Sequence, residues 1–182
     1  EQPGNSKPRI FRLVDDEALI NRMGINNKGV KHTVSRLKQI KPRVIIGGNI
    51  SKSTASTNDQ AALDYEKSFA QLYDFVDYFV VNVSCPNVKG LTKLQDITSL
   101  SEIVDRLTLL RKYYDDYRPI LLKVSPDLSE EQLDEIIELI LVSGLDGIVA
   151  TNTTITRDNL ITERAKVEVI GEGGLSGAPI FN

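Results

Sequence analysis

Short apolar runs alternate with longer amphipathic stretches along this chain, and that alternation predicts its fold. Residues 9–13, 43–47, 77–83, 119–124 and 146–150 are each rich in aliphatic, β-branched or aromatic side chains, the composition of buried strands. Between them, apolar residues recur at helical spacing. Val30, Val34, Leu37 and Ile40 predict a helix over 30–40. Ala61, Tyr65, Phe69, Leu72 and Tyr73 predict one over 57–73, and Leu100, Ile103, Leu107, Leu110 and Tyr114 one over 96–116. Ser129-Glu130-Glu131-Gln132 has the form of a capping box opening a helix at 129–143. Its Leu133, Ile136, Ile137, Ile140 and Leu141 are expected in the core, and Gly144 is its stop. Asp15 and Asp16 predict a helix N-terminus leading into Ala18, Leu19 and Ile20. Residues 1–9, 21–29 and 171–177, dense in Gly, Pro or carboxamides, read as loops.

Strand followed by helix, repeated, is the rhythm of βαβ units around a parallel sheet. Two architectures satisfy it: a five-stranded doubly wound sheet, or part of a (β/α)₈ barrel. Eight units require about 250 residues, and 182 residues hold only about half of them. The polar residues at strand ends choose between the two. Asn49, Asn82, Lys123 and Asn152 each fall at the C-terminal end of a different, successive strand. In a barrel those ends converge on one mouth; in an open sheet they spread along an edge. Four polar groups at equivalent positions predict one site in a barrel.

Composition narrows the chemistry. Hydrophobic residues make up 41% and charged residues 26%, with a formal net charge of −3, and no basic stripe suggests a nucleic-acid partner. One cysteine and one histidine leave no disulfide, no Cys-rich or His-cluster metal site and no Ser-His-Asp arrangement. No apolar run approaches the length of a bilayer span. Neither a Walker A loop nor a correctly spaced dinucleotide fingerprint is present.

The stretch richest in chemistry is Asn82-Val83-Ser84-Cys85-Pro86-Asn87, where an apolar strand ends in two carboxamides, a hydroxyl and the only thiol. Pro86 lacks a backbone donor and closes the ladder. Carboxamides suit imide or amide edges, the Lys123 ammonium suits a delocalised anion, and a thiol titrating near ~8.5 is a usable base. A flavin ring and a pyrimidine substrate both match such a lining.

The series Asn82–Asn87, then Gly90-Leu91 with Leu94-Gln95, then Leu122–Leu128, then Val149–Thr154, then Gly173–Gly177, resembles dihydroorotate dehydrogenase in order and spacing. Gln2–Asn5 with Lys7–Leu13, and Ile20-Asn21-Arg22 with Gly24, resemble its class 2, quinone-linked branch in particular. The resemblance implies an FMN-dependent (β/α)₈ barrel that oxidises dihydroorotate to orotate in pyrimidine synthesis. It implies Asn49, Asn82, Lys123, Thr151 and Gly177 beside FMN. Asn82, Asn87, Asn152 and Thr153 would hold the orotate ring and carboxylate, covered by the loop Asn21, Arg22, Met23, Gly24 and Ile25. Cys85 would stand at the base that takes the C5 proton. Two positions depart from the class 2 habit: Cys85 where Ser is usual, as in soluble class 1 enzymes, and Ile25 where Phe is common. The class 2 resemblance makes quinone the first acceptor expected, and the class 1-like Cys85 keeps fumarate or NAD as the alternative. The resemblance further implies a single domain over 1–182 that is an internal piece of the barrel, missing its first and last strands. The intact class 2 enzyme would be peripheral on the cytoplasmic membrane, the soluble alternative cytoplasmic. A piece without catalytic activity is a further alternative.

Overall fold

In the computed structural model, residues 1–40, 43–87 and 90–181 are described. Strands β3 (Gly47–Ile50), β4 (Tyr78–Asn82), β5 (Ile120–Lys123) and β6 (Gly147–Val149) form a parallel sheet in that spatial order. Its neighbours are joined through helices α2 (Ala61–Leu72), α3 (Ile97–Arg111) and α4 (Glu130–Ser143). Helix α1 (Val30–Ile40) precedes β3 and packs against α2. A second sheet is antiparallel: β1 (Ile10–Leu13), β2 (Ala18–Asn21) and β7 (Gly174–Gly177), in the order β1-β2-β7. Helix α5 (Arg164–Ile170), which the hydrophobic pattern did not announce, leads into β7.

The pleat sorts the parallel sheet into two faces, because successive side chains point to opposite sides. Ile50, Phe79, Val81, Ile120 and Leu122 share one face and are buried beneath the helices. There Phe69 of α2 meets Phe79 with ring centroids 4.2 Å apart, and Tyr73 stacks on Tyr114 at 3.6 Å. The opposite face carries Asn49, Val80, Asn82, Leu121 and Lys123. A smaller core of Leu13, Ala18, Ile20, Val167 and Leu175 joins the antiparallel sheet to α5.

Several expectations need correction. The helix expected from Asp15 is a single 3₁₀ turn over Val14–Asp16, after which Ala18–Asn21 runs as a strand. Ala18 and Ile20 are buried while Leu19 is exposed, so the true period is two. Asp16 caps nothing: its buried carboxylate accepts from the N–H groups of Ile161 and Thr162. Burial alone would raise this carboxyl. The hydroxyl of Thr162 and the two backbone donors outweigh burial and hold it below the usual range.

The strand expected over 43–47 begins at Gly47 instead, with Val44 and Ile45 exposed before it. Hydrophobicity placed it too early, because the in-register partner of Tyr78 is Gly47. Lys41 and Pro42 lie outside the described residues. The glycine-rich tail contains strand β7 rather than a loop alone. On α4 the capping box forms as expected, with Gln132 N–H donating to Ser129 Oγ and Ser129 N–H to Gln132 Oε1. Of its apolar face only Ile136 is buried; Leu133, Ile137 and Leu141 are exposed, Leu141 by 78%. Among the helices α4 packs chiefly on α3, and Leu133, Ile137 and Leu141 are left uncovered by the described residues.

Phe69 is fully buried in the aromatic cluster, so Phe69→Ala should cost about 3–5 kcal/mol of stability. Urea denaturation should show the fall as a lower midpoint at an unchanged slope.

Candidate active site

The register of the parallel sheet sets Asn82 directly beside Lys123, both at the C-terminal ends of their strands. Asn49 lies on the same face, opposite Val80, two residues short of the Asn82 level. Asn82 is 8% exposed and Lys123 half-buried. Among the described residues the Lys123 ammonium has no ion-pair partner. Such a charge is costly to desolvate without a counter-charge.

Beyond β4 the chain turns through Val83 and Ser84, both fully buried, to Cys85. The Asn82 carboxamide oxygen accepts from the Ser84 N–H at 3.3 Å and from its hydroxyl at 3.4 Å. Asn152, arriving from β6, donates to Ser84 Oγ at 3.0 Å and to Asn82 Oδ1 at 3.5 Å. Its own oxygen accepts the Thr153 N–H at 2.8 Å. Asn82, Ser84, Asn152 and Thr153 thus form one polar surface built from two strand ends. Cys85 is half-buried beside it. Burial pushes the thiol up; the Asn87 N–H and the nearby Lys123 charge pull it only part of the way back.

A second carboxamide pair stands on the loop side. Asn87 donates to Asn21 Oδ1 at 3.0 Å, and Asn21 donates to the Gly174 carbonyl at 3.3 Å. The end of β2, where the loop begins, therefore reaches the residue two positions beyond Cys85. Within that loop Gly24 and Ile25 have positive φ, and the Ile25 carbonyl accepts from Gln2 at 2.7 Å. Met23 offers its N–H to Asn21 and its carbonyl to the Asn5 N–H. Arg22 turns elsewhere: its guanidinium donates to the carbonyls of Ile170 and Glu172 and lies over Phe11 at 4.6 Å. Thr151 is exposed and donates to the Asn152 carbonyl. Gly177 pairs with Ala18 at the far end of β7, and a Cβ there would meet the Glu17 carbonyl.

The supports of this surface were not picked out from sequence. Tyr65, fully buried on α2, donates to the Asn82 carbonyl at 2.8 Å and so ties the strand end to the helix layer. Asp127 accepts from the Thr154 hydroxyl and the Ile155 N–H, fixing the chain just past Thr153. Gln95 holds the Ser125 N–H at 3.1 Å. Lys52, 3% exposed, donates to the carbonyls of Ser53 and Ser56 and closes the turn after β3. Gln95 and Asp127 lay inside quoted motifs, and that was their only signal. Tyr65 and Lys52 had none beyond a polar atom in an apolar neighbourhood.

Successive parallel strands, helices on one face and a polar cluster at the C-terminal strand ends define this chain as part of an α/β barrel with its site at the mouth. Comparison gives the particular family. A family model for dihydroorotate dehydrogenase matches residues 1–182, and the chain belongs to that family. Curated relatives named dihydroorotate dehydrogenase (quinone) include one from Christiangramia forsetii, 50% identical over 98% of this chain and 51% of its own length. One from Rhodococcus erythropolis is 48% identical over 98% of this chain and 49% of its own length. The ligand-free DHODH structure from Eimeria tenella superposes with a TM-score of 0.88 at 34% identity, covering 98% of this chain and 55% of that one. The chain spans about half the length of the curated relatives it matches.

Gly174 allows the closest approach in the site, since a Cβ there would fall on the Thr153 side chain. Gly174→Ala should displace Thr153 and cost about 1–3 kcal/mol by overpacking. Equal unfolding midpoints for variant and wild type would show that Thr153 has room to move.

Proposed function

We propose that the intact protein oxidises (S)-dihydroorotate to orotate, with FMN at the barrel mouth, Cys85 as the base and electrons passed on to a quinone. The observation that carries this reading is that two carboxamide pairs, Asn82–Asn152 and Asn21–Asn87, bracket the turn bearing the half-buried Cys85, with Lys123 in register beside Asn82. Names of the curated relatives support the reaction and the acceptor. The domain is read as one unit of a longer barrel.

The donor set fits a flavin. Lys123 presents a cation with no protein counter-charge among the described residues, suited to a ring that carries delocalised negative charge. Asn49 and Asn82, on the same sheet face, offer amide donors and acceptors for its polar edge. Thr151 and Gly177 complete the proposed set. When bound, FMN would supply the two-electron acceptor for the C6 hydride.

The chain's own residues do the rest. Asn82, Asn87, Asn152 and Thr153 orient the pyrimidine ring and carboxylate through paired amide hydrogen bonds. The loop Asn21–Ile25 covers them, through its backbone in the case of Arg22, whose side chain is engaged elsewhere. Cys85 Sγ receives the C5 proton, for which it must be thiolate. Lys123 favours that form, burial opposes it, and burial is the larger effect. Membrane association is proposed for the intact protein as a peripheral contact; among the described residues no helix is long and apolar enough to cross a membrane.

Cys85→Ala should keep flavin content and slow anaerobic flavin reduction by dihydroorotate by about 10²–10⁴-fold. Reduction at the wild-type rate would remove Cys85 from the base position. Because the thiol is raised and the thiolate is the active form, wild-type reduction should climb with pH through neutrality, by about tenfold per unit, and level only above the ordinary thiol range. A plateau below pH ~7 would contradict a thiol base. Steady-state assays with a quinone, fumarate and NAD assign the acceptor, and failure with quinone alone would overturn that part of the reading.

A further inference from the structure

The loop before β1 makes contacts that the proposed chemistry does not require of it. Arg9 gathers the carbonyls of Pro3 and Asn5, each at 3.1 Å from Nη1. Gly4 between them has φ of 79°, and a Cβ there would overlap the Met23 carbonyl and the Arg9 guanidinium. The loop is thereby pressed onto the Asn21–Ile25 loop, and the Asn5 N–H donates to the Met23 carbonyl at 3.0 Å. The Asn5 side chain leaves in the other direction. Its Nδ2 donates at 3.1 Å to the Asn87 carbonyl, 82 residues further along the chain.

A line of carboxamides follows. Asn5 holds the Asn87 carbonyl, Asn87 holds Asn21 Oδ1, and Asn21 holds the Gly174 carbonyl. The segment carrying Cys85 is anchored at its start by Asn82, Ser84 and Tyr65. On its far side the anchors are Asn5, through the Asn87 main chain, and Asn21, through the Asn87 side chain. The Asn87 N–H also faces the Cys85 thiol. Asn5 and Asn21 thus hold the residue two positions beyond the thiol by its carbonyl and by its side chain, and constrain the Cys85–Asn87 turn from its far end.

We propose that Asn5 is a positioning residue that clamps the Cys85–Asn87 turn from the loop before β1 and sets how the thiol and the Asn87 carboxamide are presented. The inference rests on the function proposed above for its catalytic meaning, but the clamp itself is readable without turnover. Asn5→Asp keeps the size of the side chain and removes the donor. Asn5→Ala removes the group altogether.

The test is made on the intact protein. The rate of Cys85 alkylation by iodoacetamide is followed by peptide mass spectrometry, alongside thermal unfolding and the kinetics of flavin reduction. Expected for both variants is alkylation faster by about three- to tenfold with the unfolding temperature unchanged. KM for dihydroorotate should rise by about tenfold while flavin content holds. Alkylation at the wild-type rate would overturn the clamp. So would faster alkylation that merely tracks a lowered unfolding temperature in both variants. If the wild type does not oxidise dihydroorotate, the proposed reaction falls, and the alkylation result still decides the clamp.

Discussion

The in-register pairing of parallel strands is the constraint on which the rest depends. Asn82 opposite Lys123 places an amide and an ammonium side by side, and the twofold pleat sends both away from the helix-covered face. Had β5 paired one residue out of step, Leu122 would meet the mouth and Lys123 would be driven into the layer holding Ile103 and Leu107. The buried apolar residues Phe79, Val81, Ile120 and Leu122 thus do more than stabilise the sheet. By refusing the polar face they fix the register that assembles the site.

On that frame the local electrostatics are a contest between burial and two weak sources of positive potential. The half-buried Cys85 loses hydration, and the Asn87 N–H and Lys123 do not fully replace it. Burial is the larger effect at this sulfur and opposes the thiolate that the proposed base role requires. Lys123 stands in the complementary condition, a cation lacking a carboxylate partner among the described residues. A protein carboxylate there would neutralise the charge that the proposed flavin would meet.

Much of this was legible in the sequence. Three of the four parallel strands, β4 to β6, the helices between them and the strand-end residues Asn82, Lys123 and Asn152 follow from periodicity and from where each apolar run stops, whereas the apolar run before β3 stops where that strand begins. The errors have common causes. Ala18–Asn21 is too short for period two and period 3.6 to be told apart, and the acidic pair before it imitated a helix start. Gly174–Gly177 carries little β propensity because it is a strand by partner: β2 lies beside it and Thr153 presses too close for a Cβ. The exposed face of α4 was misread for another reason. Its apolar stripe is real, but the stripe states that something must cover it, not that this stretch of chain does so. The supports at Tyr65 and Asp127 were out of reach because a hydrogen bond across 17 or 27 residues leaves no periodic trace.

The antiparallel sheet supplies the remaining piece of logic. A barrel mouth built only of strand ends would leave Cys85–Asn87 held on one side. The hairpin β1–β2 carries the Asn21 loop to the other side, and β7 locks that hairpin by pairing Asn21 with Gly174. Asp16 then ties the hairpin turn to Ile161 and Thr162, a buried carboxylate with three donors that would lose this anchor only as acid protonates it below the usual carboxylate range. The small sheet is therefore a bracket, packed on a core of Leu13, Ala18, Ile20, Val167 and Leu175 and tied down by the Asp16 carboxylate. Its reward is positional: residues from 5 to 174 meet within one line of hydrogen bonds across the thiol-bearing turn.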